Sequence, residues 1–484
     1  MTNITLRRAF KLALSILAIA TAIILVAALA ILYRIHIANE WQQYASVRIM
    51  NAPQKGDRVM VFAPHSDDET LGCAGMIARA VENGASVHVT LITNGDGFRF
   101  AVGRAYRTLK VTPQRCIMFA YRRQKETLSA LSILGLSPRQ VTFLGYPDRG
   151  IAQMWNKYWD RDTLYLSHAT NSDHSPYTDS LTRHAPYCGE ALMGDIIHVL
   201  ERDRPTDVYL PHPLDNHPDH YATYCFVAAA IEQLISEHHG FAKKIRIHTY
   251  LVHRGDWPVP KGYHPNDPLA PPYALASGDT QWKSLPLGPN IAKLKRKAIG
   301  EYKTQTAVEK SFMMSFARGN EIFGDMPDRK VNRVEPWQMA VDGNPDDWRG
   351  IPPAVVDPVG DYVMAGLSKG GDVRAIYLCS DNDYLYMRVD CAKKLSKQVT
   401  YTINVRGISD KDSDDWYTVS IKPPYRCTPS NTRWAYKDNI LEVALPLSKL
   451  RLEEDMFIQV KTTTMKMTVD QTGWHSVEFG EETK

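Results

Sequence analysis

The sequence predicts a Rossmann-like α/β domain, in which helices cover both faces of a mostly parallel sheet, followed by an antiparallel β-sandwich and preceded by a transmembrane helix. Three patterns lead to this prediction. Short apolar runs alternate with helical stretches over the first two thirds of the chain, apolar and polar residues alternate singly over the last third, and an uncharged apolar run lies near the N-terminus. At 484 residues the chain is long enough for two or three folded units.

The α/β pattern begins with RVMVFAP at residues 58–64, a run suited to a buried parallel strand. A helical stretch follows from Glu69 to Asn83, and SVHVTLITNG then completes a predicted βαβ unit. The remaining predicted elements are the strands VTFLG, TDVYLPHP and KIRIHTYLV and helices at about 113–134, 188–201, 220–238 and 293–306. Residues 151–187 are rich in aromatic, polar and proline residues, which predicts a long loop beside an active site.

The pattern changes near residues 326–353, where prolines interrupt the chain. Beyond them, AIYLCSDNDYLYMRVD contains two alternating runs around the turn Ser380 to Asp383, which predicts a β-hairpin. We therefore predict three parts: a membrane anchor with a juxtamembrane segment over residues 1–54, the α/β domain over 55–330, and the β-sandwich over 331–484.

The apolar run from Leu12 to Tyr33 carries no charge and is long enough, at about 1.5 Å per residue, to cross a bilayer of roughly 30 Å. Basic residues precede the run and only Arg34 follows it immediately, which places the N-terminus in the cytoplasm and the rest on the extracytoplasmic side. A cleaved signal peptide is the first alternative, because Ala28-Leu29-Ala30 has the form of a processing site. A cytoplasmic body anchored with the opposite topology is the second.

The charge balance argues against a nucleic-acid-binding protein, and the cysteine spacing argues against a thiolate metal site. The net charge is only +4, from 57 basic and 53 acidic residues, and the chain has no long Lys/Arg block, so nucleic acid is not an expected partner. The seven cysteines form no CxxC pair, which argues against a thiolate zinc site. Their odd number leaves at least one free thiol, while a disulfide among the last three stays open for an exported domain.

Two turns rich in histidine and aspartate each follow a predicted strand. The first runs from Ala63 to Glu69 and the second from Pro211 to His220. Ligands of open α/β sheets bind at the carboxyl ends of the strands, so the two turns can meet in space. Each turn alone could instead be a helix N-cap, but their occurrence after two separate strands favours a shared site.

These residue types suit a catalytic zinc site. His65, Asp68 and His220 would supply three protein ligands and leave one position open for water. Asp67 lies beside them in sequence and could take a proton from that water. His217 could act as an acid or stabilise an oxyanion, held in place by Asp219.

The motifs also resemble a known family. VMVFAPHSDDETLGCAGMIARAVENGASVHVTLITNGDG closely resembles the opening of the PIG-L/LmbE-like deacetylases, whose signature is a His-Pro-Asp-Asp-Glu turn after the first strand. HPLDNHPDH is similar to the second family signature, and RRQKETLSALSILGL, FLGYPD and KAIGEYKTQ resemble later family segments. The resemblance covers roughly residues 58–323. Ser66 departs from it, because it stands where the family usually has proline, but this change removes no ligand.

The resemblance implies the same zinc ligands, the same general base and the same His217–Asp219 pair that the residue types and their positions suggested. It further implies that Arg123 and Asp148 line the substrate pocket, although a surface salt bridge between Arg123 and Glu126 is an equal alternative. The implied reaction is zinc-assisted hydrolysis that releases acetate from an N-acetylated amino sugar of a glycan or glycolipid. A site of two histidines and one aspartate also tolerates iron or cobalt.

The C-terminal part looks like a carbohydrate-binding family 9-like β-sandwich, on the strength of VDGNPDDW, DNDYLYMRVD and LEVALPLSKL. Candidate residues for stacking on sugar rings, with core packing as the alternative in each case, are Trp348, Tyr384, Tyr386 and Trp434 there and Trp155, Tyr158, Trp159, Tyr177 and Tyr187 in the long loop. Two other functions stay open: an amidase acting on a larger sugar conjugate, and a carbohydrate-binding envelope protein without catalysis.

Overall fold

The computed structural model describes residues 13–32, 47–275, 277–361, 370–407, 416–450 and 455–479. The flanking charges on which the predicted membrane orientation depends, Arg7, Arg8, Lys11 and Arg34, lie outside these ranges. The first described element is a 20-residue helix with a mean hydropathy of 2.8 in its most apolar stretch and no burial against the rest of the chain. Its length and composition suit a membrane span or a signal sequence equally.

The first sheet has eight strands: β1 (Arg48–Ile49), β2 (Arg58–Ala63), β3 (Ser86–Thr93), β4 (Val141–Tyr146), β5 (Asp207–Pro211), β6 (Arg246–Tyr250), β7 (Gln281–Pro286) and β8 (Asn320–Asp325). Their order across the sheet is β1-β7-β8-β6-β5-β2-β3-β4. The five strands from β6 to β4 are mutually parallel, as the alternating apolar runs predicted. Chain order reverses between β2 and β5, which makes the carboxyl ends of these two strands a switch point where ligands can bind.

Nine helices accompany this part of the chain: α1 (Ala13–Leu32), α2 (Asp68–Glu82), α3 (Arg99–Ala105), α4 (Pro113–Ile133), α5 (Ile151–Asn156), α6 (Gly189–Asp203), α7 (Pro218–Ser236), α8 (Gly288–Ile299) and α9 (Lys303–Met314). The predicted helices match α2, α4, α6 and α7 closely. The predicted late helix over 293–306 is instead two helices, α8 and α9. A short helix, α5, begins the segment that the sequence suggested would be a continuous loop.

Strand β2 shows why helices must cover both faces of the sheet. Val59, Val61 and Ala63 pack in one hydrophobic cluster with residues of α2, α4 and α8, whereas Met60 and Phe62 pack in a second cluster with residues of α6 and α7. Successive side chains of a strand point to opposite faces, so an uninterrupted apolar run requires cover on each. The closeness of α2 to the sheet depends on Gly72, where a Cβ would lie 2.4 Å from the Tyr250 ring.

Three strands of this sheet, β1, β7 and β8, were missing from the sequence-based prediction. Strands β7 and β8 pair with each other in antiparallel register, and β8 also pairs antiparallel with β6. The sequence QWKSLP of β7 is short, half-exposed and ends in proline, so it lacks the apolar run that marked the parallel strands.

The C-terminal part is a large sheet of two antiparallel halves. Its elements are β9 (Lys330–Arg333), β10 (Val355–Val356), β11 (Val373–Ser380), β12 (Tyr384–Cys391), β13 (Thr400–Gly407), β14 (Trp416–Lys422), β15 (Arg426–Thr428), β16 (Arg433–Lys437), β17 (Ile440–Pro446), α10 (Leu447–Leu450), β18 (Asp455–Thr464), β19 (Met467–Gln471) and β20 (His475–Phe479). Strand β9 joins the halves by pairing in parallel with β11 and with β20. Residues of both halves share one hydrophobic cluster.

The two parts of the chain meet at an aromatic contact. Arg406 of β13 donates a hydrogen bond to the carbonyl of Trp155, and its guanidinium lies 4.1 Å from the Trp155 ring centre and 3.7 Å from that of Trp159. Trp155 also has Trp416 and Trp474 at its edges. Trp155 and Trp159 therefore pack between the C-terminal sheet and the α/β part. For these two candidates the structure shows packing, the alternative to stacking on a sugar ring. All seven cysteines are free thiols.

Candidate active site

Polar side chains gather at one edge of the parallel sheet, where its strands end. His65, Asp67 and Asp68 follow β2, Asp96 follows β3, Asp148 follows β4, residues 212–220 follow β5, and His253 follows β6. Because parallel strands present their carboxyl ends at the same edge, five separate turns contribute to one site. The structure thus brings together all eight site residues that the sequence suggested.

The three predicted zinc ligands converge on one oxygen. Asp68 Oδ2 lies 3.1 Å from His65 Nδ1 and 3.1 Å from His220 Nε2, and it also accepts a hydrogen bond from the His65 amide. Asp68 and His220 are almost fully buried. Burial alone would raise the pKa of Asp68, but the adjacent His220 and His65 hold it well below its usual range, so Asp68 is a carboxylate.

A metal ion fits this set of side chains. His220 Nε2 is buried and makes no hydrogen bond to any of the residues that the structure describes, an arrangement that a metal–ligand bond would satisfy. Donor atoms of His65, His217 and His220 lie within 4.8 Å of one another, as do those of Asp68, His220 and His253. His220 is common to both groups, and imidazole with carboxylate is a donor set that zinc accepts.

Asp67 occupies a backbone conformation that non-glycine residues rarely adopt, with φ at 128°. Such conformations cost about 1–3 kcal/mol and persist where the surroundings enforce them. Here Arg123 does so, because it donates to the Ser66 carbonyl at 2.5 Å and to Asp67 Oδ2 at 3.2 Å. Burial raises the pKa of Asp67 well above its usual value, and the Arg123 charge limits the rise.

Arg123 is buried and faces the site, so the alternative of a surface salt bridge with Glu126 is wrong. It is Arg122 that approaches Glu126, at 3.5 Å, while Glu126 accepts hydrogen bonds from Thr304. Arg123 comes this close to the turn because Gly95 has no side chain. A Cβ on Gly95, whose φ is +66°, would lie 1.8 Å from Arg123 Nη1.

His217 is the N-cap of α7, and its Nδ1 accepts a hydrogen bond from the Asp219 amide at 3.2 Å. The ring proton of the neutral imidazole is therefore on Nε2. Burial and the nearby His65 and His220 lower the pKa of His217 to about 3, which keeps the ring neutral.

The Asp219 carboxylate lies elsewhere than the sequence suggested. Its Oδ2 is 3.2 Å from His65 Nε2 and accepts from the Arg149 amide at 2.6 Å, while Oδ1 accepts from the Ile151 amide. The hydrogen bond from Asp219 to His217 comes from the Asp219 amide, and the carboxylate acts on His217 through its charge, which limits how far burial lowers the pKa of the imidazole. The Asp219 carboxylate also supports His65 and the turn that precedes α5.

Asp148 lies 3.5 Å from His65 Nε2 and accepts a hydrogen bond from the Gly97 amide at 2.9 Å. Its own amide donates to Asp96, whose other oxygen accepts from the Tyr177 hydroxyl at 2.6 Å. Burial and the charge of Asp148 raise the pKa of Asp96 to about 7. The predicted loop thus reaches the site through Tyr177, which is buried and serves packing rather than stacking on a ligand.

Besides Asp96, four residues contribute to the site without having been assigned a role from the sequence. Asp215 Oδ2 lies 3.2 Å from His220 Nδ1 and accepts from the Val252 and His253 amides, which orients the imidazole. Tyr302 donates a hydrogen bond to Glu69. Asp215 and Glu69 stand inside the two motif turns, so their positions were a signal; His253 and Tyr302 stand alone in the sequence and gave none.

In the C-terminal sheet, two of the four aromatic candidates belong to the core. Trp348 is buried and donates to Glu442, and Tyr386 is buried and donates to Asp381. Trp434 is half-buried and stacks on Tyr436 with ring centres 6.1 Å apart.

Comparison with known proteins finds a family match in the segment that carries these turns. Residues 60–231 match the family described as PIG-L: GlcNAc-PI de-N-acetylase. A 1D-myo-inositol 2-acetamido-2-deoxy-alpha-D-glucopyranoside deacetylase of Mycobacterium sp. (strain KMS) is 29% identical over 212 residues, which are 43% of this chain and 53% of the relative. A protein of the same description from Mycobacterium sp. (strain JLS) matches equally. The chain spans about half the length of these curated relatives.

Two solved structures are similar over more than half of the chain. A conserved protein from Thermus thermophilus is 23% identical with a TM-score of 0.34, and the alignment covers 59% of this chain and 100% of that one. The N,N'-diacetylchitobiose deacetylase from Pyrococcus horikoshii is 17% identical with a TM-score of 0.35, over 56% of this chain and 85% of that one. The family match is what bears on this site, because residues 60–231, which match the PIG-L family, contain both motif turns, Arg123 and Asp148.

Proposed function

We propose that this protein is a zinc-dependent hydrolase that removes the acetyl group from an N-acetylglucosamine-like unit of a glycan or glycolipid. The observation that carries the proposal is the convergence of His65 and His220 on one oxygen of Asp68, with Asp67 beside them. The names of the PIG-L family and of the mycobacterial relatives, which describe removal of acetyl groups from glucosamine units, support the same reaction.

In this proposal His65, Asp68 and His220 hold the zinc. A bound zinc ion supplies Lewis-acid polarisation of the amide carbonyl and a water whose pKa is lowered to about 7. Asp215 orients His220 through Nδ1, and the Asp219 carboxylate contacts the far nitrogen of His65. Both contacts fix the direction of an imidazole, as supporting residues of metal sites commonly do.

Asp67 is proposed as the general base. Its carboxylate is partly exposed, whereas the proposed ligands are buried, so it can reach a water molecule in the site. The raised pKa moves it closer to neutrality, where a base is most effective. Arg123 holds the carboxylate by its Oδ2, which makes Arg123 a positioning residue for the base.

His217 is proposed to stabilise the oxyanion. Its Nε2 carries the proton, because Nδ1 accepts from the Asp219 amide, and a neutral ring donates a hydrogen bond without giving up the proton. Asp148, beside His65 at the rim of the site, is proposed to bind a sugar hydroxyl.

The environment of the enzyme is part of the proposal. We expect α1 to anchor the chain in a membrane, with the α/β part on the extracytoplasmic side, and the C-terminal sheet to hold the enzyme near carbohydrate. The three-part division at residues 54 and 330 is retained as a prediction.

The test is release of free amine and acetate by the full-length chain in detergent. The substrates are the acetylated glucosaminyl inositol, N,N'-diacetylchitobiose and GlcNAc-PI, each assayed with zinc present and after chelation. Asp67→Asn should lower kcat by about 10²–10⁴-fold, since a general base contributes this much, while zinc content stays unchanged. Asp390→Asn is the control, because Asp390 is also a carboxylate paired with an arginine, Arg388, but lies in the C-terminal sheet.

Zinc-dependent release that is lost in the Asp67 variant and kept in the control would support the proposal. No release from any of the three substrates by a zinc-loaded chain would overturn it. Equal rates for wild type and the Asp67 variant would overturn the assignment of the base.

A further inference from the structure

A second group of acidic side chains lies away from the candidate active site, between the α/β part and the C-terminal sheet. Carboxylate oxygens of Asp357, Asp361 and Asp470 lie within 4.8 Å of one another. Asp357 is 1% exposed, Asp470 is fully buried, and the Asp361 side chain is also without exposure. We call these three residues the acidic seam.

The acidic seam has fewer partners than its charge requires. Both oxygens of Asp357 and Oδ1 of Asp361 are buried and accept no hydrogen bond from the described ranges of the chain. A buried carboxylate without a partner costs several kcal/mol, so such groups are paired, protonated or bound to a metal. Two unpaired oxygens on one fully buried side chain that faces two further carboxylates point to a missing ligand.

Charge balance indicates the kind of ligand. Among the described residues, Arg254 is the cation that contacts the acidic seam, through Asp361, and one guanidinium compensates only one of the three carboxylate charges. Arg329 is nearby but is already paired with Asp279, at 2.9 Å. A divalent cation would restore neutrality, whereas a neutral ligand or an anion would not.

The donor atoms narrow the choice of cation. The group consists of carboxylate oxygens alone, and these are the ligands that hard cations prefer. Zinc and copper prefer imidazole or thiolate to carboxylate. Calcium accepts six to eight oxygens in flexible geometry and takes carboxylates in bidentate fashion. The two free oxygens of Asp357 suit a bidentate contact, while magnesium demands a stricter octahedron and keeps more of its water.

We propose that the acidic seam binds one calcium ion, which joins the C-terminal sheet to the α/β part. Without an ion, burial and the neighbouring Asp361 raise the pKa of Asp470 to about 8, and burial with Asp470 and Asp361 raises the pKa of Asp357 well above its usual value. The competing state is therefore a seam neutralised by protons, and the two states differ in their response to calcium.

The experiment uses the full-length chain in detergent, stripped with EDTA, reloaded with one equivalent of zinc and dialysed. Bound calcium is then counted by equilibrium dialysis at pH 7.5, and the melting temperature is measured with and without calcium. The variants are Asp357→Asn and Asp470→Asn, with Asp390→Asn as the control for loss of a buried carboxylate that lies outside the acidic seam.

Wild type and control should bind about one calcium per chain and melt at a higher temperature in its presence. Loss of supporting residues alone weakens metal sites about 10–100-fold, so the ligand variants should lose at least that much affinity. The proposal is overturned if wild type retains no calcium and its melting temperature does not change, a result that needs no variant to fold. It is also overturned if Asp357→Asn melts higher than wild type in calcium, since that identifies a seam neutralised by protons, or if magnesium binds and calcium does not.

Discussion

The candidate active site and the acidic seam both bury several carboxylates, but they differ in how many hydrogen-bond partners each carboxylate has. At the active site the buried carboxylates have partners: Asp68 accepts from an amide and lies 3.1 Å from two imidazole nitrogens, Asp215 has three amides and an imidazole, and Asp219 has two amides and an imidazole. In the acidic seam Asp357 has none among the described residues. A paired carboxylate keeps its charge and its direction, whereas an unpaired one must acquire a proton or a cation.

One side chain connects the two regions. Arg254 follows β6 and donates to the carbonyl of Leu214, at 2.8 Å, within the turn that carries Asp215 and His217. Its other end contacts Asp361 of the acidic seam. The difference between the two regions can therefore be tested by substitutions in the candidate active site, at the boundary between the two parts of the chain, or at Arg254, which connects the regions.

The largest effect is expected from Asp68→Asn. The substitution replaces the oxygen on which both imidazoles converge, so zinc should be lost and kcat should fall by about a thousand-fold or more, because a bound metal contributes several kcal/mol of transition-state stabilisation. Zinc content and turnover of the purified variant check this. Full zinc occupancy with normal turnover would show that Asp68 is not a ligand.

Arg254→Met should destabilise the whole chain. It leaves the carbonyl of Leu214 without its donor and removes the counter-charge of Asp361, and breaking a buried ion pair on one side costs about 3 kcal/mol or more. Chemical denaturation measures the loss. Arg388→Met, which removes a partly exposed arginine from Asp390, is the comparison and should cost less. Equal losses in the two variants would mean that Arg254 has no special part between the regions.

Asp215→Asn should weaken zinc binding without removing a ligand. With its oxygen in the place of Oδ2, the Asn side chain still accepts from the Val252 and His253 amides but no longer offers a carboxylate to His220 Nδ1. Its NH2 group then faces the His217 amide, from which Oδ1 of Asp215 accepts. Residues that orient metal-bound imidazoles are worth about 10–100-fold in affinity. Competition with a chromophoric chelator gives the zinc affinity, and an unchanged value would remove Asp215 from the support of the site.

The smallest effect concerns Glu232 of α7, which faces Asp455 of β18 across the same boundary between the two parts. Burial and the charge of Asp455 raise the pKa of Glu232 from 4.5 to about 8. A carboxyl whose pKa is raised in the folded state stabilises the fold below its unfolded pKa and loses that contribution as pH rises through the folded value. Stability should therefore decline between pH 4.5 and about 8.

The slope is at most about 1.4 kcal/mol per pH unit for one proton, and less here because Glu232 is only partly buried. Glu232→Gln should flatten the decline and leave the variant more stable than wild type at alkaline pH. Melting temperatures across this range check the sign. A decline that persists in the variant would assign the pH dependence to other groups.

Much of the α/β part could be predicted from the sequence because its parallel strands are apolar on both faces and alternate along the chain with stretches of helical periodicity. The site could be predicted because its residues stand together in two turns, from His65 to Glu69 and from His212 to His220. Residues that reach the site singly, such as His253 and Tyr302, could not, since nothing adjacent to them in sequence marks them. The acidic seam was also missed, because Asp357 and Asp470 are far apart in the chain and meet only through packing of the second sheet.

Arg254 also determines where the protein can be shortened. A chain that stopped after β8 would still contain every residue proposed to hold zinc, yet Arg254, buried behind the loop of Leu214, would lose the counter-charge of Asp361. We therefore expect that a stably folded enzyme needs the C-terminal sheet, although all the residues proposed for catalysis lie in the α/β part. We expect attempts to isolate the smaller unit to yield protein that contains every proposed zinc ligand but does not hold residues 212–220 in place.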